Sequence, residues 1–215
     1  MRKSAPVTFG SLGVRLPLAL PGQRIGLLGG SFNPPHAAHV LVSRIALARL
    51  RLDRIWWIVT PGNPLKKLGQ LAPLDVRLMQ CRALARDPRI VVTGFESGLG
   101  TSFTAATLAF LKRRQPALSF VWVMGADCLV EFHRWRQWRD IFRLMPVAVV
   151  DRPGQHLKAM SSPAARTFSA SRWPRSRAAG LADAEPPAWT MLTGPLSPLS
   201  STALRRARPE PPKQG

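Results

Sequence analysis

A chain of 215 residues that is 46% hydrophobic has the length of one domain and enough apolar residues to build a core. Its 31 Lys and Arg against 11 Asp and Glu give a formal net charge of +20 at pH 7; that balance suits nucleic acid or polyanionic small substrates such as nucleotides, and equally a compositional bias in which Arg replaces Lys while Ala and Pro abound. The apolar runs are too short for a membrane helix, and two cysteines, Cys81 and Cys128, without a CxxC argue against a disulfide scaffold or a Cys-based zinc site and fit a reduced cytoplasm.

The opening segment 1–22, "MRKSAPVTFGSLGVRLPLALPG", is basic and mildly apolar, but Arg15, Pro17 and Pro21 interrupt it, so a disordered extension is expected and not a signal peptide. "RIGLLGG" (24–30) predicts the first strand; "RIWWIVT" (54–60), "RIVVTG" (89–94), "LSFVWVM" (118–124), "PVAVVDR" (146–152) and "WTMLTG" (189–194) predict five more. Helices are expected near 34–51, 74–86, 102–114 and 128–144. Continuous β-branched strands separated by helices predict an α/β fold, a doubly wound, Rossmann-like, mostly parallel sheet in three layers. Region 153–187 is rich in Ser, Ala, Pro and Arg with weak periodicity, and reads as an irregular, mobile connection with some helix. The domain then runs from 23 to 207, and "RPEPPKQG" (208–215) is a disordered end. The basic residues are spread along the chain, with no RNA-binding signature and no helix-turn-helix pattern.

Two stretches stand out chemically. In "GLLGGSFNPPHAAHV" (26–40) the first strand ends at Gly29-Gly30, where a doubly wound sheet binds its ligands. No GK[ST] follows and the pattern is not GxGxxG, so neither familiar phosphate loop is present. Asn33 reads as a helix N-cap and Pro34 as the first helical position. Pro34 and Pro35 would strip that helix of amides, passing anion contacts to the loop amides from Gly30 to Phe32 and to His36 and His39, which share a helix face. The histidine pair has three readings: a metal pair, for which no third ligand lies nearby; capping and packing groups; or two donors aimed at a polyphosphate. In "SPLSSTALRRA" (197–207), Ser200 can cap a helix whose first turn carries Ser201 and Thr202, and Arg205 one turn on can fork onto phosphate oxygens.

"GGSFNPPHAAH" resembles the [HT]xGH signature of the nucleotidylyltransferase superfamily, with Ala38 where the family has glycine and Asn33 where Asp is common. "SPLSSTALRRA" resembles its second motif, ISSTxIR, with Leu199 and Leu204 in place of isoleucines. Three further stretches are similar to nicotinate-nucleotide adenylyltransferases: "TPGNPLKK" (60–67); "TSFTAATL" (101–108), like SYTxxTL with Phe103 for the tyrosine; and "VMGADCLVEFHRWRQW" (123–138), like GxDxL…W. The resemblance spans roughly 24 to 206.

The resemblance implies transfer of AMP from ATP to nicotinate mononucleotide, with pyrophosphate leaving and Mg2+ carried in with ATP. It implies that His36, His39 and Arg205 act on the phosphates, with His39 the main stabiliser of the transferred group. Ser200, Ser201 and Thr202 would hold the triphosphate, and Gly29, Gly30, Ser31 and Phe32 would shape its cradle. Asp127 would bond the adenosine ribose, or else cap a helix. On the other substrate, Thr104 suits a carboxylate at a helix start, Trp135 stacks on pyridine or packs in the core, and Asn63 with Lys66 or Lys67 faces the mononucleotide or solvent. The expected partners are these two nucleotides in the cytoplasm, with no membrane and no nucleic acid; the oligomeric state stays open. Two alternatives remain: a relative using nicotinamide mononucleotide or phosphopantetheine, and a basic nucleic-acid-binding protein on the same fold.

Overall fold

A computed structural model describes residues 15–62, 71–101 and 103–194. Six strands form, β1 (Arg24–Gly30), β2 (Arg54–Val59), β3 (Ile90–Thr93), β4 (Ser119–Gly125), β5 (Val147–Val150) and β6 (Trp189–Leu192). They pair in the order β3-β2-β1-β4-β5-β6, and every pairing is parallel. Each expected strand is present, and the α/β doubly wound class holds.

Alternate side chains of each strand enter two separate cores, which is why the strands read as unbroken apolar runs. Ile25, Leu27, Trp56, Ile58, Trp122 and Val147 face one layer of helices. Leu28, Ile55, Trp57, Val59, Val121 and Val123 face the other. Helices α1 (Ala37–Arg49) and α2 (Leu74–Leu84) cover the second face, together with a 3-10 segment over Arg175–Asp183. Helices α3 (Thr104–Arg114), α4 (Ala126–Glu131), α5 (Trp138–Leu144), α6 (His156–Met160) and α7 (Pro163–Thr167) cover the first. The chain therefore changes face between β1 and β4, and such a switch point opens a crevice beyond the strand ends. Among the described residues no helix is long and apolar enough to cross a membrane.

Four expectations need correction. The first helix begins at Ala37 with His36 as its N-cap, not at Pro34 behind Asn33. Pro35 keeps the residue before it out of helical conformation, so Pro34 cannot open the helix. The Asn33–Pro34 peptide is cis. The helix expected over 128–144 is split into α4, a 3-10 turn at Phe132–Arg134 and α5, with Gln137 in the left-handed region at φ 55° before α5.

Region 153–187, expected as a mobile connection, is packed. It buries Ala159, Ala164, Ala165, Ala178 and Ala182 with Phe168 and Leu181. Phe168 stacks on Phe142 with ring centroids 4.3 Å apart, and its carbonyl accepts from Trp189 Nε1 at 2.7 Å. Short helices packed through alanine carry no stripe of large apolar residues, so periodicity missed them. The described end of the N-terminal segment is also anchored. Leu16 and Ala19 pack on the core, Thr93 Oγ1 donates to the Arg15 carbonyl at 3.0 Å, and the Gly22 amide donates to Ala117 O at 2.7 Å.

Candidate active site

The chain from β1 enters α1 through a turn that folds Phe32 back under the strand end at φ 45°, a conformation costly for a bulky residue and kept by its packing. Its ring is buried, stacked on Trp57 at 5.1 Å and against His39 at 4.6 Å. The two glycines expected to open the strand end to phosphate answer to these aromatic rings. A Cβ on Gly29 would come within 2.4 Å of Trp122 Cη2, and one on Gly30 within 3.3 Å of the Phe32 ring. Their missing side chains make room for ring packing beneath the site.

His36 and His39 sit together, their rings 3.9 Å apart, one at the N-cap and the other in the first turn of α1. The His36 amide donates to His39 Nδ1 at 3.1 Å. Because Nδ1 accepts, a neutral His39 carries its proton on Nε2 and presents a donor there. The helix itself is tied down by a relay: Trp57 Nε1 donates to Ser43 Oγ at 2.7 Å, and Ser43 Oγ donates to the His39 carbonyl at 2.8 Å. Ala38, where the family signature has glycine, is buried in the same turn, so its methyl is accommodated. Pro34 and Pro35 precede the helix, so its first amides belong to Ala37 and Ala38, and the amide loss expected from the prolines does not occur.

Burial is the main cause that lowers both imidazoles, His36 to about 4 and His39 to about 3. Arg152 lowers each further, His36 lowers its neighbour, and Asp127 opposes the shift at His36. Both rings are therefore neutral near pH 7. His36 Nδ1 is buried and has no hydrogen-bond partner among the described residues, a group awaiting one. Arg152, two residues beyond β5, forms an ion pair with Asp127, two beyond β4, with Nε 3.2 Å from Oδ1. Gly125 makes that pair possible, since a Cβ there would fall 2.4 Å from Asp127 Oδ1 and 2.9 Å from Arg152 Nε. Asp127 is not the helix cap, because Gly125 holds that position. The carboxyl ends of three adjacent strands thus gather two neutral imidazoles, a guanidinium and a carboxylate, a set able to donate to a polyanion. Among the described residues no three His, Cys, Asp or Glu side chains cluster to hold a metal.

The residues expected to meet the second substrate lie on the other core face. Thr104 is the first residue of α3, and Phe103 is its N-cap. Arg136 lays its guanidinium over the Phe103 ring at 4.5 Å, bringing the segment that carries Trp135 to the head of α3. Trp135 is half-buried against Phe132 at 4.9 Å and edge-on to Trp122 at 6.4 Å. Since Trp122 also underlies Gly29, one tryptophan connects this wall with the turn after β1. The Ser31 carbonyl accepts from Arg77 Nη1 at 2.7 Å. Asn63, Lys66, Ser200, Ser201, Thr202 and Arg205 lie outside the described residues.

Two arginines went unforeseen in the sequence. Arg152 stands just past a strand end in "VVDRPG", the position a doubly wound sheet reserves for ligand groups. Arg77 falls in line with the apolar positions Leu74, Leu78 and Cys81 of α2, a charge where a core residue belongs.

A family model described as cytidylyltransferase-like matches residues 27–207. A protein of Methylorubrum extorquens named probable nicotinate-nucleotide adenylyltransferase is 64% identical over 183 residues, 85% of this chain and 99% of its own length. One of Rhizobium johnstonii with the same name is 54% identical over 190 residues, 88% of this chain and 96% of its own. The Plasmodium falciparum nicotinic acid mononucleotide adenylyltransferase complexed with NaAD superposes with a TM-score of 0.63 at 17% identity, covering 86% of this chain and 83% of that one; at that identity it speaks for the fold alone. From the family model and the close relatives together, the chain belongs to the cytidylyltransferase-like family and, within it, to the nicotinate-nucleotide adenylyltransferases.

Proposed function

We propose that the chain transfers AMP from ATP to nicotinate mononucleotide, making nicotinate adenine dinucleotide and pyrophosphate as a cytoplasmic step of NAD biosynthesis. The observation that carries this reading is the pair of buried His36 and half-buried His39, neutral and 3.9 Å apart, beside Arg152 at the strand ends. A phosphate oxygen of the mononucleotide attacks the α-phosphorus of ATP. The bond from that phosphorus to the bridging oxygen breaks, and the electron pair leaves with pyrophosphate. The attacking phosphate is already an anion, so no strong base is needed, and the protein's work is placement and charge neutralisation.

In this scheme His39 donates from Nε2 to the transferring phosphoryl group, fixed in that tautomer by the His36 amide. The unpartnered Nδ1 of His36 gains a phosphate or water partner when substrate arrives. Arg152 contributes a fixed positive charge, and Asp127, held by it, faces the ribose. Gly29, Gly30 and Phe32 shape the cradle from below. Ser200, Ser201, Thr202 and Arg205 are assigned to the triphosphate from the second motif alone. Thr104 and the amides at the head of α3 receive the nicotinate carboxylate, Trp135 stacks on the ring, and Asn63 and Lys66 face the mononucleotide phosphate. Mg2+ would be carried in with ATP, held by its phosphate oxygens and water. Such an ion neutralises charge on the phosphates.

The test is direct. Purified protein, ATP, Mg2+ and nicotinate mononucleotide should yield the dinucleotide and pyrophosphate, followed by chromatography and phosphorus NMR; no product sinks the reading. Parallel kinetics with nicotinamide mononucleotide test the acid preference, and equal kcat/KM values would remove it.

A further inference from the structure

Arg77 is 1% exposed, and its guanidinium is committed to main-chain carbonyls. Nε donates to Ala72 O at 2.8 Å, Nη1 to Ser31 O at 2.7 Å and Thr60 O at 2.8 Å, and Nη2 reaches Pro61 O at 3.4 Å. Among the described residues no carboxylate forms an ion pair with it. A buried charge without a counter-ion is costly, and a leucine or methionine would fill this place on α2 with no such cost. What an arginine adds is several donors in one rigid plane, able to hold several carbonyls at fixed mutual distances.

Those carbonyls belong to three segments that Arg77 ties together. Ser31 lies between Gly30 and the left-handed Phe32. Thr60 and Pro61 follow β2, and the Thr60 amide donates to Gly30 O at 3.0 Å. Ala72 precedes α2, and its amide donates to Asn33 Oδ1 at 3.3 Å. The same hub extends toward α3, since Glu96 bonds the side chain of Thr60 and accepts from Thr107 Oγ1 at 2.7 Å. The bonds converge on the turn that delivers His36 and His39.

We propose that Arg77 is a positioning residue for adenylyl transfer: through Ser31, Thr60, Pro61 and Ala72 it fixes the turn Ser31–Asn33 and thereby the placement of His36 and His39 against the triphosphate. This rests on the adenylyltransferase reading above. A turn displaced by about 1 Å can cost roughly 100-fold in rate, so a misplaced cradle shows in turnover before it shows in folding.

The experiment compares wild type with Arg77→Lys, which keeps the charge without the planar fork, and Arg77→Met, which keeps the volume without the donors. Expected is a kcat, per folded molecule at saturating ATP and nicotinate mononucleotide, about 10- to 100-fold lower in both variants. The imidazole resonances of His36 and His39 should move as well. A purely structural role would lower the melting temperature and leave kcat and those resonances in place. A folded variant of either kind with wild-type kcat overturns the proposal. If Arg77→Met does not fold, Arg77→Lys decides alone; if neither folds, Arg77 belongs to folding and the proposal fails. A wild type that makes no dinucleotide refutes the substrate reading instead. Arg77 is then judged by calorimetric affinity for a non-hydrolysable ATP analogue, expected about 10-fold weaker in the variants and, if unchanged, fatal to the proposal.

Discussion

The turn after β1 and the head of α3 hold their residues in different ways. In the turn, several contacts hold each of three groups: Phe32 is clamped between Trp57 and His39, His39 is bonded at Nδ1 and through Ser43, and Arg77 binds the neighbouring carbonyls. At the head of α3, the side chains meet through faces of rings, Arg136 on Phe103 and Trp135 on the buried Phe132, and Phe103, Trp135 and Arg136 stay partly open to solvent. The contrast follows the chemistry proposed for each half. Donors that meet developing charge must be placed before substrate arrives and kept out of water, where they are worth most. A flat pyridine ring needs only a surface to stack on, so that half tolerates looser support.

The comparison breaks most sharply at His39. His39→Ala removes a preorganised donor, and kcat should fall by about 10²–10³ with the fold intact. Steady-state kinetics over both substrates decide this. A fall confined to ATP affinity would make His39 a binding group and leave the turn no more catalytic than the α3 side.

The same burial has a signature in pH. Both histidines titrate lower in the folded protein than in the unfolded chain, which takes up protons first. The stability tied to their neutral forms is complete above about pH 6.5, the ordinary histidine value. It is lost as the pH falls from there toward about 4 and then about 3. Thermal melts at stepped pH should decline through that window, and a His36→Asn/His39→Asn variant should flatten the decline between about pH 6.5 and 5. A variant curve parallel to wild type would mean that the histidines are solvated.

Gly29→Ala sharpens the comparison from below. The added methyl would sit 2.4 Å from Trp122 Cη2, at a ring that is itself buried. Overpacking of this kind costs about 1–3 kcal/mol, read by chemical denaturation. Because Trp122 also touches Trp135, the substitution should raise KM for the mononucleotide along with its effect on ATP; an effect on ATP alone would show that the two halves are mechanically separate.

The sequence carried the sheet clearly because both of its faces are buried, so each strand is an apolar run that stands out from its surroundings. His36, His39, Thr104 and Trp135 could be singled out as candidates as well, since each lies at a strand or helix end within a short patterned stretch. What escaped is what depends on distant contacts. Nothing local in "DVRLMQC" announces that Arg77 will find Ser31 and Thr60, nor in "DRPG" that Arg152 will meet Asp127. The ring contacts at Gly29 and Gly30 could not be read locally either, since the rings of Trp122 and Phe32 that a side chain there would meet come from outside the strand. The alanine-packed helices of 153–187 hid for the opposite reason, because burial of small side chains leaves no periodic trace.

The smallest effect is expected on the open side. Trp135→Ala removes a half-buried ring that touches Phe132 and Trp122, and Arg136 on Phe103 still covers the head of α3. An aromatic pair is worth about 0.5–1.5 kcal/mol beyond its buried area, so KM for nicotinate mononucleotide should rise roughly 2- to 10-fold while kcat changes little. Trp135→Phe keeps a ring on the same wall and should recover most of the loss. If Trp135→Ala instead lowers kcat as far as His39→Ala does, the stacking wall also sets the attack geometry, and the division between a rigid phosphate half and a tolerant pyridine half does not hold.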